Sequence, residues 1–151
     1  MKYLLLVLSF VLANLFTAVF AEQSSSFDEY VVHYNALTTD QILPSVARPY
    51  GILRSKNRAL LNIAVQKKVM GTPVQAVEAD VNVTATNLNA QLKNVEMRQI
   101  TSGADAGSTA IYYIGELPVA HEEMVKFKVS VKPAGNDRIH EFEFEQQFYT
   151  K

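Results

Sequence analysis

Val125-Lys-Phe-Lys-Val-Ser-Val-Lys132 and His140-Glu-Phe-Glu-Phe-Glu-Gln-Gln-Phe148 are the two stretches whose reading decides the fold. In the first, Val125, Phe127, Val129 and Val131 alternate with Lys126, Lys128, Ser130 and Lys132. In the second, His140, Phe142, Phe144, Gln146 and Phe148 alternate with Glu141, Glu143, Glu145 and Gln147. Period two with aromatic and β-branched residues is the signature of a strand buried on one face. If Ala134-Gly-Asn-Asp137 forms a four-residue hairpin loop, Phe127 faces Phe144 and Val129 faces Phe142, while Lys128 faces Glu143 and Lys126 faces Glu145. A slip of one residue would ruin the apolar and the charged face together, so this register is expected. The ion pairs, exposed and worth about 0.5 kcal/mol each, select the register more than they stabilise it.

Working outward, five more strands are expected, the first three on the same period. They lie at residues 30–36, 58–66, 77–86, 92–100 and 110–117. Met70-Gly-Thr-Pro73 reads as a turn, and residues 101–109, with Gly103 and Gly107, read as an exposed loop. Tyr112 and Tyr113 point to opposite faces, so one is expected at the surface and the other in the core, bonded through its hydroxyl. The only helical signal is one or two turns near residues 40–51: Pro44 suits a first turn, Pro49 forbids a long helix, and Gly51 sits where a C′ glycine would end it. About seven strands without a long helix predict an all-β protein, an immunoglobulin-like antiparallel β-sandwich, with a small barrel as the alternative.

The N-terminus reads differently. Lys2 precedes an apolar run from Leu4 to Val19, and Val19-Phe-Ala21 fits a small-residue cleavage site, so residues 1–21 are expected to be a signal peptide removed after Ala21. An uncleaved anchor is the rival reading, since the run approaches the length needed to span a bilayer. Residues 22–26, serine-rich and polar, read as a loose leader, and residues 27–151 as a single domain. The chain has 151 residues and no cysteine, so its core must hold without disulfides. Loss of Lys2 takes the formal charge from −1 to about −2. That balance argues against nucleic acid as a partner, because phosphate binding draws on surplus Lys and Arg.

Five stretches together resemble a known family: Glu29-Tyr-Val-Val-His-Tyr-Asn35, Val46-Ala-Arg-Pro-Tyr-Gly-Ile-Leu-Arg-Ser-Lys56, Arg58-Ala-Leu-Leu-Asn-Ile-Ala-Val65, Ala110-Ile-Tyr-Tyr-Ile114 and Gln146-Gln-Phe-Tyr149. The chain is similar to the exported proteins of Gram-negative bacteria grouped as domain of unknown function 4426, with the Tyr-Gly-Ile-x-Arg-Ser stretch the most specific part of the likeness. The resemblance implies an all-β domain and a periplasmic location. It implies no activity and carries over no catalytic residue.

The candidate site is the basic segment at residues 47–62. Arg48, Tyr50, Arg54, Ser55, Lys56 and Arg58 cluster there, and no acid occurs between Asp40 and Glu78. Side chains two apart on an extended segment share a face, so Arg54, Lys56 and Arg58 are expected to project together and to hold a carboxylate or phosphate. The competing account pairs these cations with Glu78, Asp80 and Glu96. His33, His121 and His140 have no metal-ligand spacing, so no metal and no cofactor are expected. No nucleophile motif occurs, and Ser55 reads as a residue bonding to backbone rather than as a nucleophile. The expectation is therefore a periplasmic, non-enzymatic binding or accessory module for an envelope protein or an anionic envelope component, with no stable membrane insertion once the signal is removed. The alternatives are a small hydrolase using Ser55 or a histidine–carboxylate pair, and a structural subunit of an envelope assembly.

Overall fold

The computed structural model describes residues 23–103 and 109–151. The signal segment and Glu22 lie outside the described residues, as does the middle of the 101–109 loop. Among these residues, ten strands form two antiparallel sheets: β1 (Ser24–Phe27), β2 (Tyr30–Thr38), β3 (Arg58–Lys67), β4 (Gln75–Ala76), β5 (Ala79–Asn87), β6 (Leu92–Lys93), β7 (Arg98–Ser102), β8 (Ala110–Pro118), β9 (Glu123–Pro133) and β10 (His140–Phe148). One sheet runs β1-β2-β3-β8-β7, with β4 beside β3; the other runs β10-β9-β5-β6. This is the expected all-β sandwich.

The hairpin register is the one the alternation demands. Phe144 lies opposite Phe127, Phe142 opposite Val129, Glu143 opposite Lys128 and Glu145 opposite Lys126. Val125, Phe127, Val129 and Val131 have no exposed surface. Phe127 stacks on Phe144 with ring centroids 4.9 Å apart, and Tyr34 of the facing sheet meets Phe144 at 4.5 Å. Aromatic contacts thus tie the two layers as well as the hairpin. The ion pairs form diagonally: Lys126 reaches Glu143 at 2.7 Å and Lys128 reaches Glu141 at 3.7 Å. Right-handed twist brings diagonal neighbours on an outer face within reach of long side chains.

Two expectations are corrected. The leader is not loose from Ser24 onward, because Ser24–Phe27 pairs with β2 across the tight turn at Asp28 and Glu29. Phe27 anchors it by stacking on His140, with centroids 4.2 Å apart. Asp28 adopts φ 47°, a conformation asparagine and aspartate tolerate better than most residues. The second correction concerns the run at 92–100, which is two short strands in different sheets. β6 pairs with β5 and β7 pairs with β8, and the chain crosses the side of the sandwich between them. The run at 77–86 divides likewise: Val77 N–H bonds to Val65 O at 3.0 Å on one sheet, whereas β5 begins two residues later on the other. These divisions, with β1 and β4, raise the strand count from seven to ten. The helical part is, as expected, no more than two turns: a 3-10 turn at Thr39–Gln41 and a single α-helical turn, α1, at Pro44–Ala47.

Gly51 behaves as a C′ glycine. It takes φ 64° and donates to Arg48 O at 3.2 Å, while Ile52 N–H reaches back to Ala47 O at 3.0 Å. These are the two bonds of a Schellman closure. The closure turns residues 39–57 back over the outer face of the first sheet, where Ala47 and Ile52 bury Leu60 of β3 and Ile114 of β8 in a second apolar cluster. This lid is what positions the basic segment.

Candidate functional site

The lid is held by one buried hydroxyl and one guanidinium. Thr39 is fully buried; its Oγ1 donates towards Leu53 O (2.8 Å) and Ser55 O (3.0 Å) and accepts Ser55 N–H at 2.8 Å. Arg54 donates from Nε to Ile42 O at 2.6 Å and from Nη2 to Asp40 O at 2.7 Å. The planar fork of arginine suits this double task, binding two carbonyls left over at the end of the 3-10 turn. Arg54 is thus spent on the backbone of its own lid.

Arg58 enters β3 and bonds Glu116 of β8 at 3.2 Å. Arg98 of β7 approaches the same carboxylate at 3.9 Å and also donates from Nη2 to Tyr50 O. The carboxylates expected to pair with this segment were Glu78, Asp80 and Glu96; the partner is Glu116. Residues 52–55 form no strand and a turn follows at Lys56 and Asn57, so Arg54, Lys56 and Arg58 do not project as one row. Among the described residues, the side chains of Arg48 and Lys56 are exposed and have neither a hydrogen-bond nor an ion-pair partner. The same lid carries Leu43, Val46 and Leu53, respectively 66%, 47% and 65% exposed. The sequence reading missed these three aliphatic residues. Their apolar character is visible in the chain, but their solvent exposure follows from how the lid packs.

Ser55 Oγ accepts the backbone N–H of Asn57 at 3.1 Å, the local bonding expected of it. The histidines lie elsewhere: His33 meets Gln66, His121 accepts Thr150 N–H at 3.1 Å, and His140 bonds Ser25 at 2.8 Å. Among the described residues, no three His, Asp or Glu side chains converge to hold a metal ion, and no helix is long and apolar enough to cross a membrane.

Ionisable groups are perturbed away from the lid. Burial alone would raise the Glu123 carboxyl, but Lys93 at 2.9 Å, Ala120 N–H at 2.8 Å and Asn87 at 3.2 Å outweigh it and hold the group below its ordinary value. Burial raises the Tyr113 hydroxyl, which accepts Ala79 N–H at 2.7 Å. Tyr113 is thus the core tyrosine and Tyr112 the exposed one. Burial lowers His140, with Asp28 opposing it.

A family model described as domain of unknown function (DUF4426) matches residues 24–151. The chain belongs to the DUF4426 family. A crystal structure of a DUF4426 family protein from Pseudomonas aeruginosa PAO1 is similar to it, with a TM-score of 0.70 and 27% identity over 86% of this chain and 96% of that one. No curated protein matches the chain. DUF4426 membership extends over the hairpin, both sheets and the lid, so the basic segment lies within the family's domain.

Proposed function

We propose that this DUF4426 protein is an exported, periplasmic, non-enzymatic binding module that engages a phosphate-bearing anionic component of the envelope through its 39–57 lid. The observation that carries this reading is the composition of the lid surface. Arg48 and Lys56 are exposed without a carboxylate partner among the described residues, on the same lid as the exposed aliphatic side chains of Leu43, Val46 and Leu53. Cations and apolar side chains on one lid suit an anionic amphiphile, whose headgroup and acyl region each find a complement. Arg54 and Arg58 serve this surface indirectly, holding the lid and its first strand in place. A hydrolase centred on Ser55 draws no support from a hydroxyl engaged in its own turn, where it accepts Asn57 N–H.

The test is sedimentation with vesicles of neutral phosphatidylcholine and with vesicles containing anionic phosphatidylglycerol. Binding is expected only to the anionic vesicles, weakening as salt rises. The double variant Arg48→Glu, Lys56→Glu should lose it with an unchanged melting temperature. Equal binding by the variant, or equal binding to neutral vesicles, overturns the reading.

A further inference from the structure

A different surface, independent of the lid, is the free edge of β5. β5 is paired on one side along its whole length with β9, but on the other only Ala85 and Thr86 pair with a strand, with Lys93 and Leu92 of β6. In an antiparallel ladder, alternate residues direct both N–H and C=O to the same neighbour. Three bonds fix which residues do so here. Ala134 N–H bonds Glu78 O at 2.8 Å, so even-numbered residues face β9. Ala79 N–H bonds the Tyr113 hydroxyl and Asn87 N–H bonds Gln91 O, so odd-numbered residues face the other way. Val81 and Val83 therefore direct their N–H and C=O groups to the uncovered edge. Among the described residues, no hydrogen bond closes them.

Had β6 continued, Val95 and Met97 would have paired with Val83 and Val81. Instead the chain peels away at Asn94 and crosses to the other sheet, leaving an open groove of about 550 Å³ lined by residues 81–84 of the β5 edge, by residues 95–97, and by Lys128, Ser130 and Glu141 of β9 and β10. The uncovered stretch, residues 81–84, has the length of three or four residues of an added strand. The other long edge is guarded. On β10 the odd-numbered residues face outward, and these include Glu141, Glu143 and Glu145, the kind of charged edge that discourages pairing. Residues 81–84, Val-Asn-Val-Thr, carry no charge, no proline and no bulge.

We infer that the β5 edge accepts an extended segment of a partner protein as an added antiparallel strand in the place β6 vacates. Main-chain bonds to Val81 and Val83 provide the attachment, and alternation provides the selectivity. Residues opposite Val81 and Val83 are apolar, lying towards Val95 and Met97; the intervening residue is polar, facing Asn82 and Thr84. Lys128 and Glu141 of the rim pair with each other, whereas Glu96 is exposed without an ion-pair partner among the described residues, so the segment carries a Lys or Arg at its end. The partner is thus an alternating apolar and hydroxyl-bearing strand with a flanking cation.

The test is residue-resolved amide exchange of the protein, alone and with the acetylated, amidated heptapeptide Lys-Thr-Val-Thr-Val-Thr-Lys at millimolar concentration. Alone, the Val81 and Val83 amides should exchange rapidly while those of Asn82 and Thr84 are protected. With peptide, Val81 and Val83 should slow by at least about tenfold while the exposed β10 amides stay unchanged. A peptide N-methylated at both valines should have no effect. In Val81→Lys, which introduces an edge guard, the response to the unmethylated peptide should disappear while β9 and β10 amides keep their protection. Protection of Val81 and Val83 before peptide is added overturns the inference, as does protection that grows with protein concentration alone. So does a peptide that leaves these amides unchanged or protects β10 equally.

Discussion

Gly115 lies directly under Val95: a Cβ on Gly115 would stand 2.6 Å from Val95 Cγ1, and the same distance from Met97 Sδ. This contact is where the chain crosses from one sheet to the other. The crossover passes so close to β8 that its backbone must lack a side chain there, the use of a strand glycine that close packing predicts. Gly115→Ala forces two side chains aside and presses on Glu96 O at 3.2 Å, so it should destabilise the fold by about 1–3 kcal/mol. Urea unfolding measures the loss; a variant as stable as the parent would show that the crossover sits elsewhere.

Arg54 and Lys56 are two residues apart and should respond in opposite ways. Arg54→Ala removes both bonds to the carbonyls of Ile42 and Asp40 and should cost about 1–2 kcal/mol, with the lid loosening first. Lys56→Ala touches no partner among the described residues and should leave the melting temperature unchanged. Thermal unfolding of the two variants checks this, and equal effects would refute the assignment of Arg54 as the residue that ties down the lid.

The Glu123 cluster closes the end of the sandwich by joining Lys93 of β6, Asn87 of β5 and the turn at Ala120. The Lys93 and Glu123 side chains are only 15% and 12% exposed, so truncating one leaves the other short of its partner in a partly dry site. Glu123→Ala should therefore destabilise by about 2–3 kcal/mol, more than an exposed pair such as Lys126–Glu143. The folded carboxyl titrates below its unfolded value. Its contribution is thus present above the ordinary glutamate pKa and is lost as pH falls through the folded one. Urea midpoints of parent and variant should converge as pH drops below about 4.

His140 predicts a second acid effect at higher pH. It stacks on Phe27 and bonds Ser25, holding β1 against β10, and burial lowers its pKa by disfavouring the charged ring, with Asp28 opposing. Below an unfolded pKa of about 6.5 the unfolded chain takes up the proton first. Stability is therefore complete above that value and falls as pH decreases towards the lower folded pKa. Protection of the β1 amides, taken relative to their intrinsic exchange rate at each pH, should fall as pH is lowered from about 7.5 to 5, and His140→Gln should flatten the dependence. The same fall in His140→Gln would assign the effect to another group.

The hairpin from β9 to β10 was readable because both faces of both strands obey one period, and the four-residue loop leaves one register that satisfies them. Gly51 was readable for a similar reason, since a left-handed residue after a short helical turn has few alternatives to glycine. The sheet changes at Glu78 and at residues 94–97 were not, because alternation continues through a corner: Val77 and Val81 obey the same period on different sheets. Ser24–Ser26 defeated composition, as a polar strand needs only a tight turn and an anchoring ring, here Phe27 on His140.

By itself the sequence determined which residues look inward, how β9 and β10 pair, where the helical turn must stop, and that the core does without disulfides. These follow from local periodicity and backbone stereochemistry. Only the tertiary structure decided that Arg54 and Arg58 are engaged while Arg48 and Lys56 are exposed, that Glu116 is the acid at the lid, and that one edge of β5 is left open. Each depends on which distant segments arrive at the same place, and hydrogen bonds and ion pairs form with whatever group is within about 3 Å, however remote in the chain.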